Sequence, residues 1–146
     1  MTTARTSAIA VHVEAAKRLL RELEQHAETA LHALGRESGA EFFAAVDERD
    51  RILGELDGVV EALTQERQAS GVPPADDDAE TAALFAEMAH AAAAALESHD
   101  RLAAETRRER DRLASALRRT NRPDSVASHY AASSGAPRQL TLSVTG

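Results

Sequence analysis

The chain has no cysteine and no tryptophan, and aromatic residues make up only 3% of its 146 residues. Without cysteine, the protein can form neither a disulfide framework nor a zinc ribbon nor a thiol nucleophile. No apolar run approaches the roughly 18 residues that a membrane-spanning helix needs, and the N-terminal residues lack the apolar core and the cleavage site of a secretory signal. We therefore expect a cytoplasmic protein without a membrane span.

Apolar residues are plentiful, at 43%, but many of them are alanine. Alanine lets helices approach closely while burying little area, and buried apolar area contributes only about 25 cal/mol per Å². The composition therefore predicts a bundle of marginal stability that gains from a partner or from a second copy. The net charge of −7 argues against nonspecific binding to nucleic acid.

Three long amphipathic segments, about residues 6–34, 39–68 and 78–119, dominate the sequence. In the first segment, apolar residues recur at alternating spacings of four and three, which is typical of a heptad seam facing a partner helix. The members of this seam are Ile9, Val13, Ala16, Leu20, Leu23, Ala27, Ala30 and Leu34. Gly35 is expected to end this helix in a left-handed conformation.

The second segment opens with a helix start signal, because Ser38 and Glu41 have the spacing of a capping box. A stripe of large apolar residues follows, and we predict that it faces the first helix. Its members are Phe42, Val46, Leu53, Leu56, Val60 and Leu63, widened by Ile52 and Val59. Gly54 and Gly58 have a small-xxx-small spacing, which favours a close helix crossing or a flexible point near residue 56.

The third segment follows two prolines, which cannot continue a helix, and Asp77 with Glu80 repeats the capping-box spacing at its start. The turn between the first two segments is so short that they should form an antiparallel hairpin. The predicted fold is all-α over residues 1–122, an antiparallel three-helix bundle or coiled-coil-like hairpin with a long third helix. Residues 123–146 are expected to form a short helical turn and a flexible, loosely structured C-terminal tail.

The third helix is longer than the other two, and at about 1.5 Å rise per residue it should extend past the first turn by roughly four helical turns. Its second half keeps only Leu102, Leu113 and Leu117 as large apolar anchors. Apolar anchors without cover on a long helix favour a binding site for a partner helix. The alternative is a bent third helix, or a tail that packs onto it.

No group of residues indicates catalysis, a metal site or a cofactor. Glu87 and His90 have the Glu-x-x-His spacing of di-iron bundles, but such sites need a second copy of the motif, and the chain has none. The six histidines are spread along the chain, and pairs such as Glu22 with His26 are ordinary contacts on a helix surface. We therefore predict that the protein is not an enzyme and has no cofactor.

The stretch from Arg101 to Arg122 is basic in an otherwise acidic chain, and no aromatic residue is interleaved with its arginines. The favoured interpretation is a solvated helix face whose last arginines complement the negative end of the helix dipole. The alternative is a surface for nucleic acid or for an acidic partner.

The layout as a whole is two antiparallel helices, a long third helix, a tyrosine and a loose tail, with glutamate and arginine running through residues 42–56 of the second helix. This layout resembles the FlgN family of flagellar type III export chaperones, with the FliT-type chaperones as a second choice. The segment from His129 to Gly135, which contains Tyr130, and the apolar terminus from Leu140 to Val144 are similar to the FlgN-type ending.

The resemblance implies a non-enzymatic cytoplasmic chaperone that holds amphipathic terminal helices of hook–filament junction proteins and delivers them to the export apparatus. The hypothesised contacts with the substrate protein are Leu102, Leu113, Leu117 and Val126, and Tyr130 is the hypothesised contact with the export gate. One alternative is a self-associating structural bundle or adaptor, in which a second copy covers the third helix in a homodimer. A nucleic-acid-binding helical protein is the less favoured alternative.

Overall fold

The computed structural model describes the backbone of residues 2–121 and the side chains of residues 4–121. Three α-helices dominate this part of the chain: α1 (Thr2–Gly35), α2 (Gly39–Ser70) and α3 (Ala79–Thr120). A short 3-10 helix, Pro74–Asp76, lies between α2 and α3. The described residues contain no strand, so the predicted all-α fold class is confirmed.

The chain divides into two compact units, residues 1–105 and residues 106–146. The first unit contains α1, α2 and α3 as far as Glu105, and these three helices form a bundle. The second unit begins inside α3 at Thr106, and its described residues remain helical to Thr120.

The heptad seam of α1 is the centre of the bundle in the first unit. Seven of its eight predicted members are buried, and only Leu34, in the last turn of the helix, is half-buried. Leu19 and Ala33 are buried beside them. The backbones of α1 and α2 approach within 8 Å of each other at many positions, which is the close packing that an alanine-rich seam allows.

The core consists of three clusters along the bundle. The large-residue cluster contains Ile9, Val13 and Leu63, packed by Val59, Leu84, Phe85 and Met88. The middle cluster contains Leu19, Leu20, Leu23, Ile52 and Ala95. The alanine cluster contains Ala27, Ala30, Ala45 and Leu102, packed by Leu31 and Phe42. Because low numbers in α1 meet high numbers in α2, the two helices are antiparallel, as predicted.

α2 is rotated relative to the predicted stripe. Its buried residues are Ala45, Arg49, Ile52 and Leu63. Leu53 and Val60, which were expected to face α1, are 42% and 46% exposed, and Val46 is only half-buried. The prediction is wrong for these three residues, because α2 carries apolar residues on two adjacent stripes and the one containing Ile52 occupies the core.

The end of α1 also differs from the prediction. Gly35 is the last residue of the helix, and the left-handed residue is Glu37, with a φ of 57°. The Ser38 amide donates to the Ala33 carbonyl at 2.9 Å, and the Glu37 amide donates to the Leu34 carbonyl at 3.2 Å. This is a Schellman motif with glutamate where glycine is usual. It places Ser38 at the start of α2.

Ser38 is the N-cap residue of α2, but its side chain makes no capping hydrogen bond. The predicted capping box is therefore wrong. Its second member, Glu41, pairs instead with Arg36, and the Ser38 amide that it was expected to reach already donates to the Ala33 carbonyl.

The start of α3 is capped one residue later than predicted. The Asp78 carboxylate accepts a hydrogen bond from the Thr81 amide at 2.7 Å, and this bond holds the pKa of Asp78 below its usual value. Asp77, the predicted cap, points instead to the side chains of Arg5 and Arg67. Two arginines from other helices compete for it more strongly than a backbone amide does.

Gly54 and Gly58 do not mark a close helix crossing. Both residues are exposed, and a Cβ atom added at either position would have no neighbour within 4 Å. The predicted crossing near residue 56 is wrong, because the side of α2 that carries these glycines faces solvent rather than α1 or the first unit's part of α3.

Candidate protein-binding surfaces

The most connected polar group of the bundle is the Asp77 carboxylate, which joins three parts of the chain. Arg67 of α2 donates to it at 2.8 Å, and Arg5 of α1 donates to it at 3.1 Å. The Arg67 guanidinium also lies 4.0 Å from the ring centroid of Phe85 in α3, a distance at which cation–π attraction is significant. We call these four residues the arginine clasp.

The electrostatics of the clasp indicate a structural role. Hydrogen bonds from Arg67, and then from Arg5, hold the pKa of Asp77 below its usual value, although burial of the carboxylate opposes them. The carboxylate is therefore charged near neutral pH and is already satisfied by two cations. Nothing about it suits a general acid or base, which needs a pKa near the working pH.

Arg49 joins α1, α2 and α3 in the same way. Its guanidinium donates to the Leu23 carbonyl at 2.5 Å and lies 3.1 Å from Nδ1 of His99. Burial lowers the pKa of Arg49, while the nearby charge of Asp50 opposes the shift. An arginine remains charged in proteins even so, and Arg49 thus satisfies its charge with groups from the other two helices.

The Glu-x-x-His pair of α3 does not form a metal site among the described residues, where no cluster of three or more ligating side chains occurs. Glu87 pairs with Lys17 of α1 at 2.8 Å, which raises the pKa of Lys17. The pair lines a groove between α1 and α3 together with His90. Its evident use is to hold two helices together.

Two of the predicted binding residues, Leu113 and Leu117, lie in the second unit's part of α3. They are 50% and 62% exposed. Residues four apart share one face of a helix, so the two leucines form one exposed apolar patch.

The helix around this patch is strongly basic. Residues 106–121 carry six arginines and only two acidic residues, Glu109 and Asp111. Glu109 accepts from Arg112 at 2.6 and 2.9 Å, which holds the pKa of Glu109 below its usual value. We call residues 106–120 the basic segment. It combines an apolar patch with positive charge, which suits an amphipathic helix with acidic flanks.

Leu102 is not part of this surface. It is only 7% exposed and packs against Ala27, Ala30 and Ala45 in the alanine cluster. The expectation that it lies uncovered is wrong, because the ends of α1 and α2 reach its position, where Arg101 also pairs with Glu28. The two remaining predicted contacts, Val126 and Tyr130, lie outside the described residues.

A second exposed apolar surface, which the sequence reasoning missed, lies on α2. Phe43, Leu53 and Val60 are 65%, 42% and 46% exposed, and the half-buried Val46 lies between them. Their spacings place these four residues on one face of the helix. Acidic residues lie on the same face: Asp47, Asp50, Asp57 and Glu61 are all exposed. We call these eight residues the outer stripe.

The signal for the outer stripe was present in the sequence. Val46, Leu53 and Val60 recur every seven residues, with Asp50 and Asp57 between them. A seam that alternates apolar and acidic residues is unsuited to a core, whereas the neighbouring seam through Ile52 has Arg49 and Leu56 at the positions that match Asp50 and Asp57.

The chain matches no protein-family model, no curated protein and no solved structure. Within residues 2–121, no helix combines the length and the apolar character that crossing a membrane requires.

Proposed function

We propose that the protein is a non-enzymatic chaperone that holds an amphipathic helix of a partner protein on the basic segment of α3. The observation that carries the proposal is the exposed pair Leu113 and Leu117, which lies on one face of a helix rich in arginine. Exposed apolar anchors at a spacing of four residues are the pattern by which one helix receives another.

The charges of the basic segment define the partner more closely. Six arginines against two acidic residues favour a partner helix whose polar face is acidic. Complementary charge of this kind speeds association and selects the partner, while the apolar contact supplies most of the affinity. The partner is thus an amphipathic helix with apolar anchors and acidic flanks.

The resemblance to the FlgN-type export chaperones names a partner of this chemistry. On that basis the partner helix is the amphipathic terminal segment of a hook–filament junction protein, which the chaperone holds in the cytoplasm and delivers to the export apparatus. Tyr130 is the proposed contact with the export gate. Leu113 and Leu117 remain the proposed substrate contacts, and Val126 is retained as a third.

The polar groups of the bundle support a scaffold rather than a catalyst. Asp77, Arg49 and Lys17 each bind side chains or carbonyl groups of other helices in the same chain. These contacts hold the helices of the first unit together.

The proposal is tested by titrating the full chain with a fluorescent peptide of the terminal helix of a hook–filament junction protein. We expect binding by the wild-type chain, and binding at least 10-fold weaker for the double variant Leu113→Ala/Leu117→Ala. Leu96→Ala is the matched control, because Leu96 is also exposed on α3, at 60%, but lies outside the basic segment.

Salt provides a second readout. Screening of the arginines should lower the affinity between 50 and 500 mM NaCl, since the Debye length falls well below 10 Å over that range. Wild-type binding that is absent, or that survives the double substitution unchanged, contradicts the proposal. Circular dichroism of each variant checks that the helices remain folded.

A further inference from the structure

We propose that the outer stripe of α2 binds the basic segment of a second copy, so that two chains form a two-fold symmetric dimer. This interface goes beyond the proposed function, because it needs no partner protein; a second copy and a partner helix would compete for the same basic segment. It is argued from the charge, the apolar pattern and the length of the two surfaces.

The outer stripe has unbalanced negative charge. Among the described residues, Asp47, Asp50 and Asp57 form no ion pair within 4 Å. Arg51, an exposed cation of α2, is already held by Glu48 and Glu55, to one side of the stripe. The stripe therefore presents apolar side chains between carboxylates that form no direct ion pair; Arg49, which interacts electrostatically with Asp50, is itself buried.

The basic segment has the complementary composition. Leu113 and Leu117 supply apolar side chains, and six arginines lie in the same segment. Along the helix axis the outer stripe, from Phe43 to Glu61, spans about 27 Å, and the basic segment spans about 21 Å. The two surfaces are thus opposite in charge and similar in length.

These observations favour a second copy of the same chain as the molecule that binds the outer stripe. Every chain carries both surfaces, so a two-fold dimer forms the contact twice, with each basic segment on the other chain's stripe. The contact also removes the exposed apolar side chains of both surfaces from water, which favours self-association.

Charge reversal tests the dimer directly. Light scattering after gel filtration should show a dimer of the full chain at 50 mM NaCl and a dissociation constant at least 10-fold higher at 500 mM. Asp50→Arg/Asp57→Arg should be monomeric, because both contacts then bring cations together. Arg107→Glu/Arg110→Glu should also be monomeric, because both contacts then bring carboxylates together.

Mixing the two reversed variants is the decisive step. An equimolar mixture should form a heterodimer. In it, the reversed stripe of the first variant meets the reversed basic segment of the second, and the unchanged basic segment of the first meets the unchanged stripe of the second. A chain that carries all four substitutions should recover the homodimer. Glu97→Arg/Asp100→Arg is the matched control, because it changes the charge equally at exposed sites of α3 outside both surfaces.

Three outcomes overturn the proposal. They are a wild-type chain that is monomeric at both salt concentrations, a dimer that persists in both reversed variants, and monomeric variants whose mixture stays monomeric. A monomeric wild-type chain whose melting temperature falls in the reversed variants and recovers in the fourfold variant would place the contact within one chain. No partner peptide is present, so each of these results is independent of partner binding.

Discussion

The three-helix bundle of residues 1–105 has the large-residue cluster towards one end and the alanine cluster towards the other. In the first, Phe85 and Met88 reach from α3 onto branched side chains of α1. In the second, Leu102 is the one large residue among the four buried members, and the partly buried Leu31 and Phe42 pack against the cluster. Because apolar burial scales with area, the first end contributes more of the free energy of folding.

The polar contacts follow the same division. The arginine clasp lies beside the large-residue cluster, and Gly71 closes α2 there with a φ of 65°, which glycine adopts without strain. At the other end, Glu37 takes the left-handed conformation and the Ser38 side chain caps nothing. Stability is thus distributed unevenly along one bundle, and local opening should begin at the alanine end.

The largest expected effect compares one leucine from each end. Leu63→Ala should lower the free energy of unfolding by about 3–4 kcal/mol, because it leaves a cavity among large side chains. Leu102→Ala should cost about 2 kcal/mol, since the three other buried members of its cluster are alanines, which make fewer contacts with it. Urea denaturation measures both, and Leu96→Ala, at an exposed site, should change stability by about 0.5 kcal/mol or less. Equal losses at residues 63 and 102 would contradict the inference that the two ends of the bundle contribute unequally to stability.

Breaking the clasp should have the next largest effect. Asp77→Asn removes a charge that two arginines share and should cost about 2 kcal/mol at pH 7. Folding lowers the pKa of Asp77 from its unfolded value of about 3.9. Its contribution is therefore fully present above that value and is lost as the pH falls through the folded-state pKa.

The pH dependence supplies the control for the clasp. Between pH 7 and pH 3 the wild-type chain should lose more stability than Asp77→Asn, so the two unfolding curves converge in acid. Curves that stay parallel across this range would show that the carboxylate is not stabilised by its arginines.

A smaller effect, this time an increase in the free energy of unfolding, is expected at Glu37, where the alanine end is strained. Glu37→Gly should raise the free energy of unfolding by about 1 kcal/mol, because a left-handed conformation costs a non-glycine residue roughly that much. The matched change at the other end, Gly71→Ala, should lower it by about the same amount. Thermal melts of the two variants compare the ends directly, and a destabilised Glu37→Gly would disprove the strain.

The smallest effect is expected at Gly35, which lies within the last turn of α1. Its φ is not left-handed, and an added Cβ atom would have no neighbour within 4 Å. Gly35→Ala should therefore stabilise the chain by about 0.5–1 kcal/mol through helix propensity. Hydrogen exchange of the amides near the α1–α2 turn should slow in this variant, and faster exchange would contradict the assignment of Gly35 to the helix.

Part of the candidate surface could be predicted from the sequence. Leu113 and Leu117 stand out as leucines in a polar, basic stretch, and both are exposed. Leu102 occurs in similar surroundings along the chain, yet it is buried. The difference depends on where the ends of α1 and α2 lie beside α3, and residue spacing within α3 carries no information about that.

At the outer stripe the sequence pattern fails in the opposite direction, because it predicts burial for residues that are exposed. Val46, Leu53 and Val60 are large and apolar at helical spacing, which predicts that they lie in the core. Asp50 and Asp57 between them were the evidence against this. A pattern that counts apolar residues alone misses the cost of burying the carboxylates that accompany them.

The sequence by itself determined the helical class, the three long helices and the seam of α1, since all of these follow from local periodicity and from residues that break helices. The tertiary structure alone decided which of two adjacent stripes on α2 faces inwards, which aspartate caps α3, and whether Leu102 is covered. Two stripes one residue apart differ by only about 100° around a helix. Packing against the other helices chooses between them, because only one choice buries Ile52 and leaves Asp50 and Asp57 in water.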